Sequence, residues 1–148
     1  MSSVSVSVPR LLIVEDEVST VFAIREFFAF NGYVVDCAAC PPDAMLFLTR
    51  HRYDIVITDL HLTPYRCAEG MSVLDRARTL NPDALIIMLT AYATEGSEED
   101  AYKHGATLFE TKPIGLAELA ARIEAVREGH GFAPPSHPRQ EWGSTCPE

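Results

Sequence analysis

Apolar positions along this chain follow two alternating rhythms. Five short runs, RLLIV at 10–14, YVVDC at 33–37, YDIVITD at 53–59, ALIIMLT at 84–90 and ATLFE at 106–110, are unbroken or nearly so and rich in β-branched residues. Such runs, bounded by polar and turn residues, predict buried strands. Between them the spacing becomes helical. Val21, Ile24 and Phe28 recur within 18–30, where Asn31-Gly32 supplies the stop. Pro42 opens a second helix that runs to about Arg50, and 70–80 forms a third, closed by Asn81-Pro82. Ser97-Glu98-Glu99-Asp100 has the capping-box form and opens a fourth, with acids where the helix dipole favours them. Leu116, Leu119, Ala120 and Ile123 mark one face of a fifth.

Five short strands, each followed by a helix, predict an α/β fold with a parallel sheet covered on both faces. Right-handed crossovers make it doubly wound, and such sheets carry their sites at the carboxyl ends of the strands, near the point where strand order reverses. The folded domain is expected over 10–128. Residues 1–9 alternate Ser and Val, and either extend the first strand or fray as a flexible segment. From Gly129 to Glu148 the chain is rich in Pro and Gly without periodicity, which reads as a disordered tail too short for a second domain. Trp142 within it reads as a solvated aromatic, with a partner contact as the alternative.

Composition narrows the function. A net charge of −9 and a pI near 4.9 leave no basic patch for nucleic acid or for an anionic membrane surface. There is neither the basic start and apolar core of a signal peptide nor an apolar run long enough to span a bilayer, so a cytoplasmic location is expected. Four cysteines (Cys37, Cys40, Cys67, Cys146) are too few and too scattered for a disulfide scaffold.

The residues just after each strand bear the chemistry. Glu15-Asp16-Glu17 follow the first, Asp59 the third, Thr90 the fourth and Lys112-Pro113 the fifth. Carboxylates gathered in one crevice repel unless a cation joins them, and an all-oxygen set with room for waters suits Mg²⁺. A lysine and a hydroxyl add the charge and donor that a bound phosphoryl group needs. Asp54 starts its strand and belongs at the far end of the sheet, and Glu17 reads as the opening of the first helix.

LLIVEDE, DIVITDLHLTP, IIMLTAYA and FETKPI resemble, in order and spacing, the receiver domain of bacterial two-component response regulators (CheY-like), over about 10–128. The resemblance implies a flavodoxin-like (βα)5 sheet of order 2-1-3-4-5. It implies that Asp59 accepts a phosphoryl group from a phosphohistidine on a sensor histidine kinase or histidine phosphotransfer protein. Glu15 and Asp16 would hold Mg²⁺ with Asp59 and the backbone carbonyl of His61, while Thr90 and Lys112 would contact phosphoryl oxygens. On phosphorylation Thr90 would move and Phe109 turn inward, changing a protein-binding face over about 97–127. The Lys112-Pro113 bond is expected to be cis. His61 and Tyr92 would tune water access, with plain surface exposure as the other reading.

The resulting expectation is a signalling phosphoacceptor rather than an enzyme. It would assist its own phosphorylation and dephosphorylation, and it would have no output domain of its own. A receiver-shaped binding module that does not use phosphate is the alternative. A thiol-redox protein built on Cys37 and Cys40 is a weaker rival, because Cys37 belongs to a strand while thioredoxin-like chemistry wants its first Cys at a helix N-terminus. Small apolar filling explains these thiols better. A flavin-binding protein would need glycines and backbone donors where VEDEVST is acidic. Two features depart from the pattern. The stretch LTPYRCAEG reaches its glycine about three residues late, and Phe22, Phe27, Phe28 and Phe30 give the first helix more aromatics than one buried face uses. The surplus would suit docking of a phosphotransfer partner, and oligomeric state stays open.

Overall fold

The computed structural model describes residues 8–59, 67–91, 93 and 95–127, with only the backbone path of 67–70. The expectations for 1–7, for the tail from 128 onward, for His61 and for Tyr92 lie outside the described residues.

Ten elements alternate along the chain: β1 (Arg10–Val14), α1 (Val18–Phe30), β2 (Val34–Ala38), α2 (Pro41–Arg50), β3 (Ile55–Thr58), α3 (Cys67–Leu80), β4 (Leu85–Thr90), α4 (Ser97–Lys103), β5 (Leu108–Thr111) and α5 (Leu116–Arg127). The five strands form one sheet of order β2-β1-β3-β4-β5, and every pairing is parallel. This is the doubly wound arrangement expected of a chain that alternates strand and helix.

The core divides into two layers because strand side chains alternate between faces. Leu11 and Ile13 of β1, Ile55 and Ile57 of β3, and Ile87 and Leu89 of β4 pack against Ile24 and Phe28 of α1 and Leu119 and Ile123 of α5. Leu12, Val14, Val56, Ile86, Met88 and Phe109 point the other way, onto Ala44 and Leu48 of α2 and Val73, Leu74 and Ala77 of α3. The central strands β3 and β4 are buried along their whole length, which is why their sequences are continuous apolar runs rather than alternating ones.

Local signals explain most boundaries. Helix α1 stops as predicted: Gly32 has φ of 96°, its N–H bonds Ala29 O at 3.1 Å, and the Tyr33 N–H bonds Phe28 O at 3.0 Å. Two expectations need correction. Helix α3 starts at Cys67, three residues before Gly70, so the glycine lies inside the helix and the connection from Asp59 is 60–66. At α4 the cap position belongs to Gly96, with φ of 88°, and no side chain caps the helix. Ser97 is instead the first helical residue and is buried, although Glu98, Glu99 and Asp100 occupy the first turn as predicted. Among the described residues no helix is long and apolar enough to cross a membrane.

Candidate functional site

Hydrogen bonding continues one residue past the strands and fixes the backbone at the carboxyl mouth of the sheet. The Glu15 N–H bonds Ala38 O at 2.9 Å, the Asp59 N–H bonds Val14 O at 3.1 Å, and the Lys112 N–H bonds Thr90 O at 2.8 Å. Strand alternation carried through these residues sends Glu15, Asp59 and Lys112 toward the α1/α5 layer, because Ile13, Ile57 and the β5 residue Leu108 already face it. Thr90 and Phe109 face the opposite layer with Met88.

The first group meets. The Lys112 ammonium donates to Glu15 Oε1 at 2.6 Å and to Asp59 Oδ2 at 3.0 Å. Both carboxylates are almost sealed from solvent, with Glu15 5% and Asp59 6% exposed, while the lysine side chain keeps 18%. The second Glu15 oxygen accepts the Glu17 N–H at 3.1 Å. Burial pushes the Glu15 carboxyl above its usual range, with Lys112 opposing. Burial alone would lower the Lys112 ammonium, but its hydrogen bonds to Glu15 and Asp59 outweigh this and raise it. Among the described residues Lys112 thus bridges two buried acids, with half-buried Asp16 next in sequence.

Hard carboxylate oxygens gathered in this way fit a divalent cation such as Mg²⁺. Among the described residues no three of the acids stand as a ready metal cluster, and the Lys112 ammonium contacts both Glu15 and Asp59. An ion at this site would share the oxygens with the lysine or displace it.

The remaining candidates fall into place around this pair. Thr90 is fully buried one residue beyond the level of Asp59, since Thr58 pairs with Met88. Phe109 is 2% exposed and packs in the core. The Lys112-Pro113 bond is cis. Asp54 sits at the opposite end of β3, exposed, with its Oδ2 accepting the Arg10 N–H at 2.9 Å. Glu17 caps α1 by position, and its carboxylate accepts the Thr20 hydroxyl at 2.9 Å. Cys37 lies half-buried in β2 and Cys40 precedes α2; burial pushes the Cys37 thiol up, with Arg25 opposing, which is the reverse of an activated thiol.

The sequence reading missed Glu110. It is 4% exposed on β5, two residues before Lys112 and on the same face, and its Oε2 pairs with Arg122 Nη1 of α5 at 3.2 Å. The acid that ends ATLFE was the available signal, since a carboxylate in a buried strand calls for a partner.

Comparison with known proteins gives the arrangement a family. "Transcriptional regulatory protein DltR" of Streptococcus agalactiae is 40% identical over 114 residues, covering 77% of this chain and 50% of that protein. "Transcriptional regulatory protein PrrA" of Mycobacterium tuberculosis is 26% identical over 126 residues, covering 85% and 53%. The chain thus spans about half the length of these curated relatives. Among solved structures, a CheY-like response regulator receiver domain protein from Methanospirillum hungatei superposes with a TM-score of 0.74 at 25% identity, covering 80% of this chain and 92% of that one. A response regulator from Burkholderia pseudomallei, crystallised with a phosphorylated aspartic acid, calcium ion and citrate, shares the fold with a TM-score of 0.70 at 20% identity, covering 95% and 87%. The model of the response regulator receiver domain matches residues 11–124, which takes in nearly all of the sheet and most of α5, so the chain belongs to the response regulator receiver family.

Proposed function

We propose that Asp59 is the phosphoacceptor of this chain, and that it takes its phosphoryl group from a phosphohistidine of a sensor kinase or phosphotransfer protein. The observation that carries this reading is the Lys112 ammonium held at 2.6 Å from Glu15 and 3.0 Å from Asp59 in a nearly sealed pocket. A fixed cation at the acceptor costs no reorganisation when charge develops on a transferring group, and such preorganised electrostatics is the main contribution a protein makes to phosphoryl transfer.

In the transfer, the phosphorus–nitrogen bond of the phosphohistidine breaks as a bond forms from an Asp59 carboxylate oxygen to phosphorus, and the imidazole nitrogen leaves with the electron pair. Lys112 follows the charge onto the phosphoryl oxygens. The buried Thr90 hydroxyl, one residue beyond the level of Asp59 on the neighbouring strand, is the second donor. Glu15, Asp16 and Asp59 are the residues that would hold Mg²⁺, which when bound supplies positive charge to the phosphoryl oxygens. Asp16 and the Glu17 N–H to Glu15 bond then serve to keep the first loop in place. The signal leaves as altered binding of a downstream protein on the α4-β5-α5 face, where Phe109 and Glu110 connect β5 to the helices on either side.

The test is incubation with a small acyl phosphate and Mg²⁺, alongside Asp59→Asn, followed by intact mass. An acid-stable, base-labile adduct of one phosphoryl group on the parent and none on Asp59→Asn is expected. If neither the small donor nor a phosphorylated kinase gives an Asp59-dependent adduct, the chain is a receiver-shaped binding module that does not use phosphate.

A further inference from the structure

Glu15 and Asp59 are not the only buried acids on the α1/α5 side of the sheet. Glu110 of β5 is 4% exposed and stands in register with Leu89 of β4, whose side chain belongs to that layer together with Leu108 and Leu119. A carboxylate in a layer of leucines is costly to bury without a counter-charge. Strand alternation puts Lys112 on the same face two residues further on, roughly 6.6 Å along the strand, a distance that an extended lysine spans. Three buried carboxylates therefore lie within the sweep of one ammonium.

The structure divides the cations between them. Arg122 of α5 takes Glu110, with Nη1 at 3.2 Å from its Oε2, while Nη2 lies 3.1 Å from Oε2 of Glu118, one turn earlier on the same helix. A planar guanidinium can hold two carboxylates at once in a fixed fork, which suits it to a bridge between a buried acid and a half-exposed one. Lys112 is left to Glu15 at 2.6 Å and Asp59 at 3.0 Å.

We propose that Arg122 is a positioning residue for the acceptor site: by holding Glu110 it keeps the Lys112 ammonium committed to Glu15 and Asp59. The inference rests on the reading of Asp59 as phosphoacceptor, and Arg122 acts only through Glu110. With the guanidinium removed, Glu110 becomes a third acid competing for the lysine. Each excursion of the ammonium toward Glu110 withdraws positive charge from the oxygen that receives the phosphoryl group.

The test exploits the lysine content of the chain, which is Lys103 and Lys112 alone. Isotope labelling of lysine gives one Cε signal for each, with exposed Lys103 as the internal reference. The signals are read without phosphodonor or Mg²⁺, and Asp59→Asn marks where the Lys112 signal lies once a carboxylate partner is lost. Uptake from a small acyl phosphate is timed separately. Arg122→Gln is expected to move the Lys112 signal toward that mark and to slow uptake about tenfold, less than removal of the lysine itself would. Glu110→Gln and Glu110→Gln/Arg122→Gln, which remove the competing acid, are expected to keep the parent signal and a rate within about twofold of the parent. A merely structural pair would show the reverse, with the double change at least as damaging as the single one. The proposal is overturned if Arg122→Gln leaves the Lys112 signal in place, or if the double variant restores neither signal nor rate. Should Arg122→Gln fail to fold, the other two variants decide: a parent-like Lys112 signal in both supports the proposal, and displacement in either overturns it. A parent that takes up no phosphoryl group defeats the phosphoacceptor reading, and the Lys112 signals still decide whether Arg122 positions the lysine.

Discussion

The two ends of this sheet both gather charge, and they resolve it differently. At the amino end Arg78 and Asp36 have fixed partners. Arg78 donates to Gly105 O from Nε at 3.1 Å and from Nη2 at 2.8 Å, to Pro82 O at 2.7 Å and Ala84 O at 2.9 Å from Nη1, and to the Thr107 hydroxyl at 3.1 Å. Asp36 accepts the Tyr53 hydroxyl at 2.6 Å and the Arg10 guanidinium at 3.3 Å. At the carboxyl end two buried acids share a single lysine. The satisfied end resists change, whereas the end where two buried acids share Lys112 is where a further cation would gain most. Location in the sheet, rather than burial or charge alone, separates scaffold from chemistry.

Breaking this contrast begins at Lys112. Lys112→Ala leaves Glu15 and Asp59 facing each other without their common cation, and phosphoryl uptake from a small donor should slow about 100-fold or more, as measured by the rate of adduct formation. At the other end, Arg78→Ala orphans several carbonyls at once and should cost about 3 kcal/mol in urea unfolding. Adduct formation in that variant should stay near the parent rate. Gly105→Ala attacks the same lock from the opposite side: φ is 108°, and an added Cβ would lie 2.8 Å from Arg78 Cβ. A loss of about 2 kcal/mol is expected by the same measurement.

Tyr53 sharpens the comparison through pH. Burial and its hydrogen bond to Asp36 push its hydroxyl far above the ordinary 10.0. A phenol whose folded value is raised contributes stability that is full below pH 10.0 and is lost as the pH rises toward the folded value. Tyr53→Phe should therefore cost about 1 kcal/mol at neutral pH, and the gap from the parent should close in alkaline unfolding titrations. The smallest effect is expected at Asp54→Asn, which keeps an acceptor for the Arg10 N–H. It should change stability by less than about 0.5 kcal/mol and leave phosphoryl uptake unchanged. A large loss of uptake there would erase the distinction between the two acids of β3.

Much of the site is legible in sequence because its residues follow apolar runs. Glu15, Asp59, Thr90 and Lys112 each terminate a buried strand, and a parallel sheet brings such termini to one edge whatever their separation along the chain. Arg78 and Glu110 were not legible as partners. Arg78 looks like an ordinary helix-ending base, and its role depends on carbonyls contributed by residues 82, 84 and 105. Glu110 could be recognised as an oddity, but Arg122 as its counter-charge depends on how α5 crosses β5.

The sequence by itself determined the alternation of strand and helix, the parallel sheet with its two apolar layers, and the set of polar residues at the strand ends, because these depend on local periodicity and on the geometry that consecutive elements impose. Only the tertiary structure decided that Lys112 stands between Glu15 and Asp59, that Phe109 lies inside, that α3 begins before its glycine and that Gly96 rather than Ser97 caps α4. Those outcomes depend on contacts between elements distant in the chain and on competition for space, and no local pattern records either.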